Sequence, residues 1–301
     1  MAKAQVQQQH LFTFNASAVG VAANIRRDGS TVLTDPKQRF LTEAAACLSG
    51  IGGEHEAPSS GATFRSGLIH FDSAFSKVTG DFKPFEKAVK FTHGNWGDHK
   101  LPTLTTASSL VSGLVMVNRG PDSRKEVNIP KLGFSLSIVN NRDGKEPNFS
   151  LAPEMSEIVV DGKRAIVHFV TGRMMKGSTF CGLKEEYERN GKFFKNFGDC
   201  FYVPGTLNTP KEAPKRFPRT PTVLCTVVDR IEWPEGMSDN TTQTGRNRIR
   251  LQGFGSIILG ELQISGAERS ISMVRVEFGS PDGGEGEMGR GGGNGSGWPP
   301  E

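Results

Sequence analysis

The sequence predicts a mainly β protein: antiparallel sheets in a sandwich-like or elaborated sheet architecture, with one docked amphipathic helix and a disordered glycine-rich C-terminal tail. Three observations lead there. Residues 246–279 alternate apolar and polar side chains between glycines, the two-residue period of half-buried strands. Similar alternation recurs along most of the chain, whereas a helical period with caps occurs clearly once, at 36–49. Beyond Ser280, the stretch PDGGEGEMGRGGGNGSGWPPE holds too little apolar surface to order itself.

The first strand is expected at 11–25, where Leu11, Phe12 and Phe14 lead into the small-residue run NASAVGVAANI. The helix follows. Asp35 can cap it, Pro36 suits its first turn and Gln38 can complete a capping box. Phe40, Leu41, Ala44, Ala45 and Leu48 then share a face, and Gly50 suits the C-terminal cap. Residues 50–62 read as a loop by their Gly, Pro and Ser content.

A long strand or bent hairpin is expected over 64–82, with Leu68, His70, Asp72 and Ala74 on one face and Ile69, Phe71, Ser73 and Phe75 on the other. Further strands are predicted at 105–117, 133–139, 156–160, 165–170 and 223–231, with Asp161-Gly162 a hairpin turn between two of them. In the final meander, Ile258, Leu262 and Ile264 share a parity, and Val274, Val276 and Phe278 alternate with Met273, Arg275 and Glu277. Residues 1–279 are therefore read as one β-rich domain, with a basic, proline-rich excursion over 184–221 and a flexible tail over 280–301. Trp298 would sit on that tether as an anchor for a partner's pocket.

At 301 residues the chain can bury a large core without disulfides. Cys47, Cys181, Cys200 and Cys225 form no CxxC pair or zinc-finger spacing and read as mostly reduced, buried thiols, although a Cys181–Cys200 bridge is compatible with neighbouring strands. No apolar run approaches a bilayer span and the N-terminal residues lack a secretory signal pattern, so a cytoplasmic protein is expected, with an extracellular origin left open. A net charge of +4 disfavours a dedicated polyanion binder.

Candidate chemistry is sparse. His70 and Asp72, two apart on a strand, leave the same face, where a carboxylate can orient an imidazole for acid–base work; no nucleophile is evident. His93, Asp98 and His99, in HGNWGDH, are the densest potential metal ligands, at a spacing that matches no established zinc motif. Lys192, Lys195, Lys215, Arg216 and Arg219 interleave with aromatics as a single-stranded nucleic-acid groove would, and Arg246, Arg248 and Arg250 could extend that patch. The glycines near the C-terminus lack the strand–loop–helix context of a phosphate-binding loop. No cofactor is indicated. The expectation is a non-enzymatic structural or binding protein acting through protein interfaces, self-assembly included. An enzyme on a β scaffold is the alternative, and nucleic acid is the least favoured partner.

Overall fold

The computed structural model describes residues 13–25, 40–50, 52–82, 103–119, 124–140, 147–155, 157–169, 195–197, 200–202, 222–234, 241–243, 247–265, 268–279 and 283–297. They form two sheets. The second sheet is built from β3 (Gly53–Ser59), β4 (Ala62–Phe64), β5 (Ile69–Phe71), β6 (Ser73–Phe82), β7 (Thr103–Arg119), β8 (Arg124–Asn140), β9 (Asn148–Glu154), β10 (Glu157–Val160), β11 (Lys163–Phe169) and β15 (Val228–Glu232). The first contains β1 (Thr13–Ile25), β2 (Phe40–Cys47), β12 (Lys195–Phe197), β13 (Cys200–Tyr202), β14 (Thr222–Thr226), β16 (Thr241–Gln243), β17 (Arg248–Leu251), β18 (Gly255–Ser265), β19 (Glu268–Phe278) and β20 (Gly284–Gly297). The main ladder of the first sheet runs β14-β18-β19-β20-β1-β2 and is antiparallel throughout; β13 joins β14 in parallel.

The sheets pack face to face, β1 and β20 lying over β6, β7 and β8. One apolar core fills the space between them and includes Ala18, Val21, Val78, Val111, Leu132, Phe134, Ile257, Val274 and Met288. The chain itself turns both corners. At one, β14 gives way to β15 through Thr226, whose hydroxyl donates to Leu259 O (3.2 Å) and accepts from Val228 N–H (3.1 Å). At the other, β2 leads to β3, and Ser59 Oγ donates back to Glu43 (3.0 Å).

Both sheets are creased along a transverse line. A regular strand buries every second residue, but here the set of core side chains skips a step: Ala18 to Val21, Leu41 to Ala44 and Leu259 to Leu262 in one sheet, and Phe71 to Ala74, Val111 to Leu114 and Ile129 to Leu132 in the other. The skips align. Gly260, Met273, Gly289, Gly20 and Ala44 occupy one row across β18, β19, β20, β1 and β2, between ladder pairs that keep their register. Gly113 and Pro130 occupy the matching row of β7 and β8. Alternate strands carry a positive φ there, 56° at Gly260, 59° at Gly289 and 52° at Ala44, with 65° at Gly113. One left-handed residue in an extended strand sends the next side chain to the opposite face, so inside and outside reverse along these strands at the same row. Pro130, which has no N–H to offer a ladder, falls where none is needed.

The long strands also exchange partners at the crease. β7 pairs with β6 before Gly113 and with β5 after it; β8 pairs with β10 and then β9; β18 pairs with β17 and then β14. Backbone groups at these exchanges still find partners. Asp72 N–H donates to Ser112 O (2.9 Å), Val227 N–H to Gly260 O (2.8 Å) and Asn247 Nδ2 to Leu259 O (2.9 Å).

Several expectations are corrected. Residues 40–47 of the expected helix are strand β2, paired with β1 over Phe40–Cys47, and the described residues contain no α-helix. The apparent helical spacing of Leu41 and Ala44 is the crease skip. Within the expected loop at 50–62, residues 53–59 are an edge strand on β6, where Pro58 is tolerated. The supposedly disordered tail supplies β20, hydrogen-bonded to β19 on one side and β1 on the other. With both ladders satisfied, this strand needs few side chains, and Gly291 leaves the space that Phe134 of the opposite sheet occupies. Residues 223–231 are two strands in different sheets, and Ile258 lies on the face opposite Leu262 and Ile264.

Candidate functional site

The sequence candidates His70 and Asp72 do meet. They sit on β5 and at the bend that follows it, and both point to the outer surface because the crease comes between Phe71 and Ala74. His70 Nε2 lies 3.3 Å from Asp72 Oδ1, and His70 Nδ1 is hydrogen-bonded to Thr63 Oγ1 at 2.8 Å. Thr63, on β4 directly opposite His70, was not foreseen; only the hairpin register places it there. The result is a hydroxyl–imidazole–carboxylate chain whose histidine and aspartate side chains are 43% and 71% exposed. Such a chain can pass a proton, and it also ties the β4–β5 hairpin to the bend.

The remaining described histidines have partners too. His168 Nε2 is 2.9 Å from Glu232 on β15, and His55 Nδ1 is 3.2 Å from Cys47 N at the corner. Lys77 bridges Glu54 and Glu56, each at 2.8 Å. The hydrogen bonds to Glu54 and Glu56 raise the Lys77 pKa, and the hydrogen bond from Lys77 lowers that of Glu56. Among the described residues, no group of three or more His, Cys, Asp and Glu side chains could hold a metal ion.

A denser charge network lies on the outer face of the first sheet. Arg248 on β17 is only 2% exposed and donates to Glu277 on β19 at 2.8 Å. Arg275, two residues before Glu277 on the same face, binds the other Glu277 oxygen and lies 3.5 Å from Glu261. Burial alone would lower the Arg275 pKa, but the carboxylates of Glu261 and Glu277 outweigh it and hold the guanidinium above the ordinary arginine value. Burial, and then the negative charge of Glu261, push the thiol of fully buried Cys225 up, so it stays protonated. Arg248 therefore does not contribute to a basic surface as the alternation of arginines suggested.

Beside this network, a cavity of about 340 Å³ opens across β19, β20, β1 and β2. Its lining includes Ala22, Asn24, Thr42, Arg275, Glu285, Glu287 and Arg290, with Gly286 and Ala23 among its small residues. Arg290 is paired with Glu287 at 2.7 Å. The sequence signal for this site was present in the glycine-rich stretch, whose Glu285, Glu287 and Arg290 are its charged residues. It was hidden by the reading of that stretch as a tail.

His93, Asp98, His99, Lys192, Lys215, Arg216, Arg219 and Trp298 lie outside the described residues, as does Cys181. The stretch read as the tether of Trp298 is strand up to Gly297, which pairs with Thr13. Lys195 is in β12, opposite Tyr202. No protein-family model matches the chain, and no curated protein or solved structure matches it either.

Proposed function

We propose that this chain is a non-enzymatic structural or binding protein that works through protein–protein interfaces, self-association among them. One observation carries the reading: large apolar side chains stand exposed on outer sheet faces, Phe40 and Phe75 on different sheets and Ile166 on β11. Phe75 is the centre of a patch, because the ladder sets it between Pro58 and Leu110 in one row, and Leu110 in turn faces Gly133. A contiguous apolar row on a polar sheet surface is what a partner covers. The salt bridges Lys77–Glu54, Lys77–Glu56 and Lys131–Glu154 neutralise charge around it. The test is sedimentation of the full chain over a wide concentration range, with Phe75→Glu alongside. Association that the substitution abolishes supports the reading; a monomer at every concentration, identical for both proteins, removes self-association.

A second reading rests on the Thr63–His70–Asp72 chain, which brings a hydroxyl within 2.8 Å of an imidazole. It makes the chain an enzyme on a β scaffold. Hydrolysis of small activated esters that is lost in both Thr63→Val and His70→Ala, with folding intact, would support it. Equal rates in all three proteins would sink it.

A further inference from the structure

We infer that the outer face of the second sheet docks on the same face of a second copy of this chain, about a two-fold axis running close to β7. The inference rests on the interface reading above and gives it a partner and a geometry. The ladders β3-β6-β7-β8-β9 set the face out as a grid. One row crosses it as Pro58, Phe75, Leu110, Gly133 and Glu154, and the next as Glu56, Lys77, Ser108, Ser135 and Ala152. A third runs through Glu54, Thr79, Thr106, Ser137 and Ser150. The two halves of this grid differ. Side chains on β3 and β6 are mostly long, whereas those on β8 and β9 are short, with Glu154 at the corner the exception. Phe75, Ser135, Ser150 and Ala152 are all exposed, so the face is open to a partner.

A two-fold axis along β7 turns that asymmetry into a fit, because it lays β6 of one copy over β8 of the other, and β3 over β9, with every row kept. An isologous contact must be self-complementary in this way. Phe75 then lies over Gly133 of the second copy, Lys77 over Ser135, Glu56 over Ala152 and Glu54 over Ser150. Leu110 meets its own counterpart. It leans toward Gly133, with Cδ1 3.2 Å from where a Cβ would stand, so the low side of the row still offers apolar surface to the incoming ring. No like charges meet across these rows. Lys77 is already held by Glu54 and Glu56, and Lys131 by Glu154, and the carboxylates of β3 and β9 stay on the rim. Size and edges point the same way. Five strands about 4.8 Å apart, with the 10 residues of β6 rising about 3.3 Å each, cover about 800 Å² per copy, which is what each partner of a stable complex buries. The edge strands β3 and β9 carry Pro58 and Pro153, which deter lateral pairing and leave the face as the contact. Facing sheets align within about 30°, so rows near the axis stay matched.

The test is sedimentation equilibrium of the full chain carrying a charge on the axis. Ser108 faces Ser108 of the second copy, so Ser108→Glu and Ser108→Lys each bring like charges together and should each weaken association about tenfold. An equimolar mixture of the two variants brings opposite charges together and should restore association to within about threefold of the wild type. Thr106→Glu and Thr106→Lys, one row further along the axis, repeat the experiment if either Ser108 variant loses its circular dichroism signal. A mixture that associates no better than its components overturns the inference, as do single variants that associate like the wild type. If Phe75→Glu abolishes association in either of those cases, the interface reading survives with a different docking. A wild-type chain that stays monomeric at every concentration removes this dimer together with self-association, and leaves the interface reading to other protein partners.

Discussion

Glu277 joins the buried charge network together, since its two oxygens serve two guanidinium groups that have left water. Removing it strands charge. Glu277→Ala is expected to cost about 3 kcal/mol in urea unfolding, whereas Glu287→Ala, which breaks an exposed pair with Arg290, should change stability by less than about 1 kcal/mol. Cysteine chemistry divides in the same way. Cys47 is exposed and should be alkylated in the folded protein, while Cys225 should react only after unfolding, as peptide mapping would show. Because the folded Cys225 pKa is raised above its ordinary 9.0, its contribution to stability is intact below that pH. It declines as pH rises above 9.0, where the unfolded chain releases a proton that the folded chain retains. Cys225→Ala should flatten that alkaline slope. Opposite-charge spacing along β19 was visible in the sequence, but nothing in it said that Arg248 of another strand would share Glu277.

At the scale of the element, the Asp161-Gly162 hairpin was legible because the turn chemistry is local. Both residues have positive φ, 48° and 79°, as the twist of a two-residue hairpin demands. A Cβ at Gly162 would meet no atom within 4 Å, so Gly162→Ala tests backbone strain alone and is expected to cost about 1 kcal/mol. Gly291 is the converse case: its backbone is ordinary, but a side chain there strikes Phe134. Gly291→Val should cost about 3 kcal/mol or prevent folding, by thermal or urea unfolding. The edge pair β3–β6 responds to pH at both ends. Glu56 has a lowered pKa, so its contribution is present above the ordinary 4.5 and lost as pH falls through the folded value; Lys77 has a raised pKa, so its contribution is present below 10.5 and lost as pH rises. Carboxyl NMR titration of Glu56 should show it ionising at lower pH than in Lys77→Ala. The helix expected at 36–49 failed for a physical reason. A strand that reverses its inward face buries residues three apart, so Leu41 and Ala44 imitate one helical turn, and the pairing with β1 outweighs the helix propensity of the alanines.

For the whole molecule, the decisive experiment is truncation after Gly279. A dispensable tail would leave folding unchanged. Because β20 lies between β19 and β1, its removal should expose two ladders in the middle of the first sheet and yield an unfolded or insoluble chain, read by circular dichroism and solubility. Short-range chemistry makes part of this fold legible in the chain alone: a β class from two-residue alternation, most strand positions, one hairpin turn, and the shared face of His70 and Asp72. The rest depends on which strands meet. Alternation shows that a strand has two faces, but which face is inward changes wherever a positive φ interrupts it, and the common crease is visible only when neighbouring strands are set in register. The glycine-rich stretch followed the same logic. It contributes few apolar side chains, so its own composition argues for disorder; its order comes from hydrogen bonds to two neighbours and from the ring of Phe134, none of which is encoded within the stretch itself.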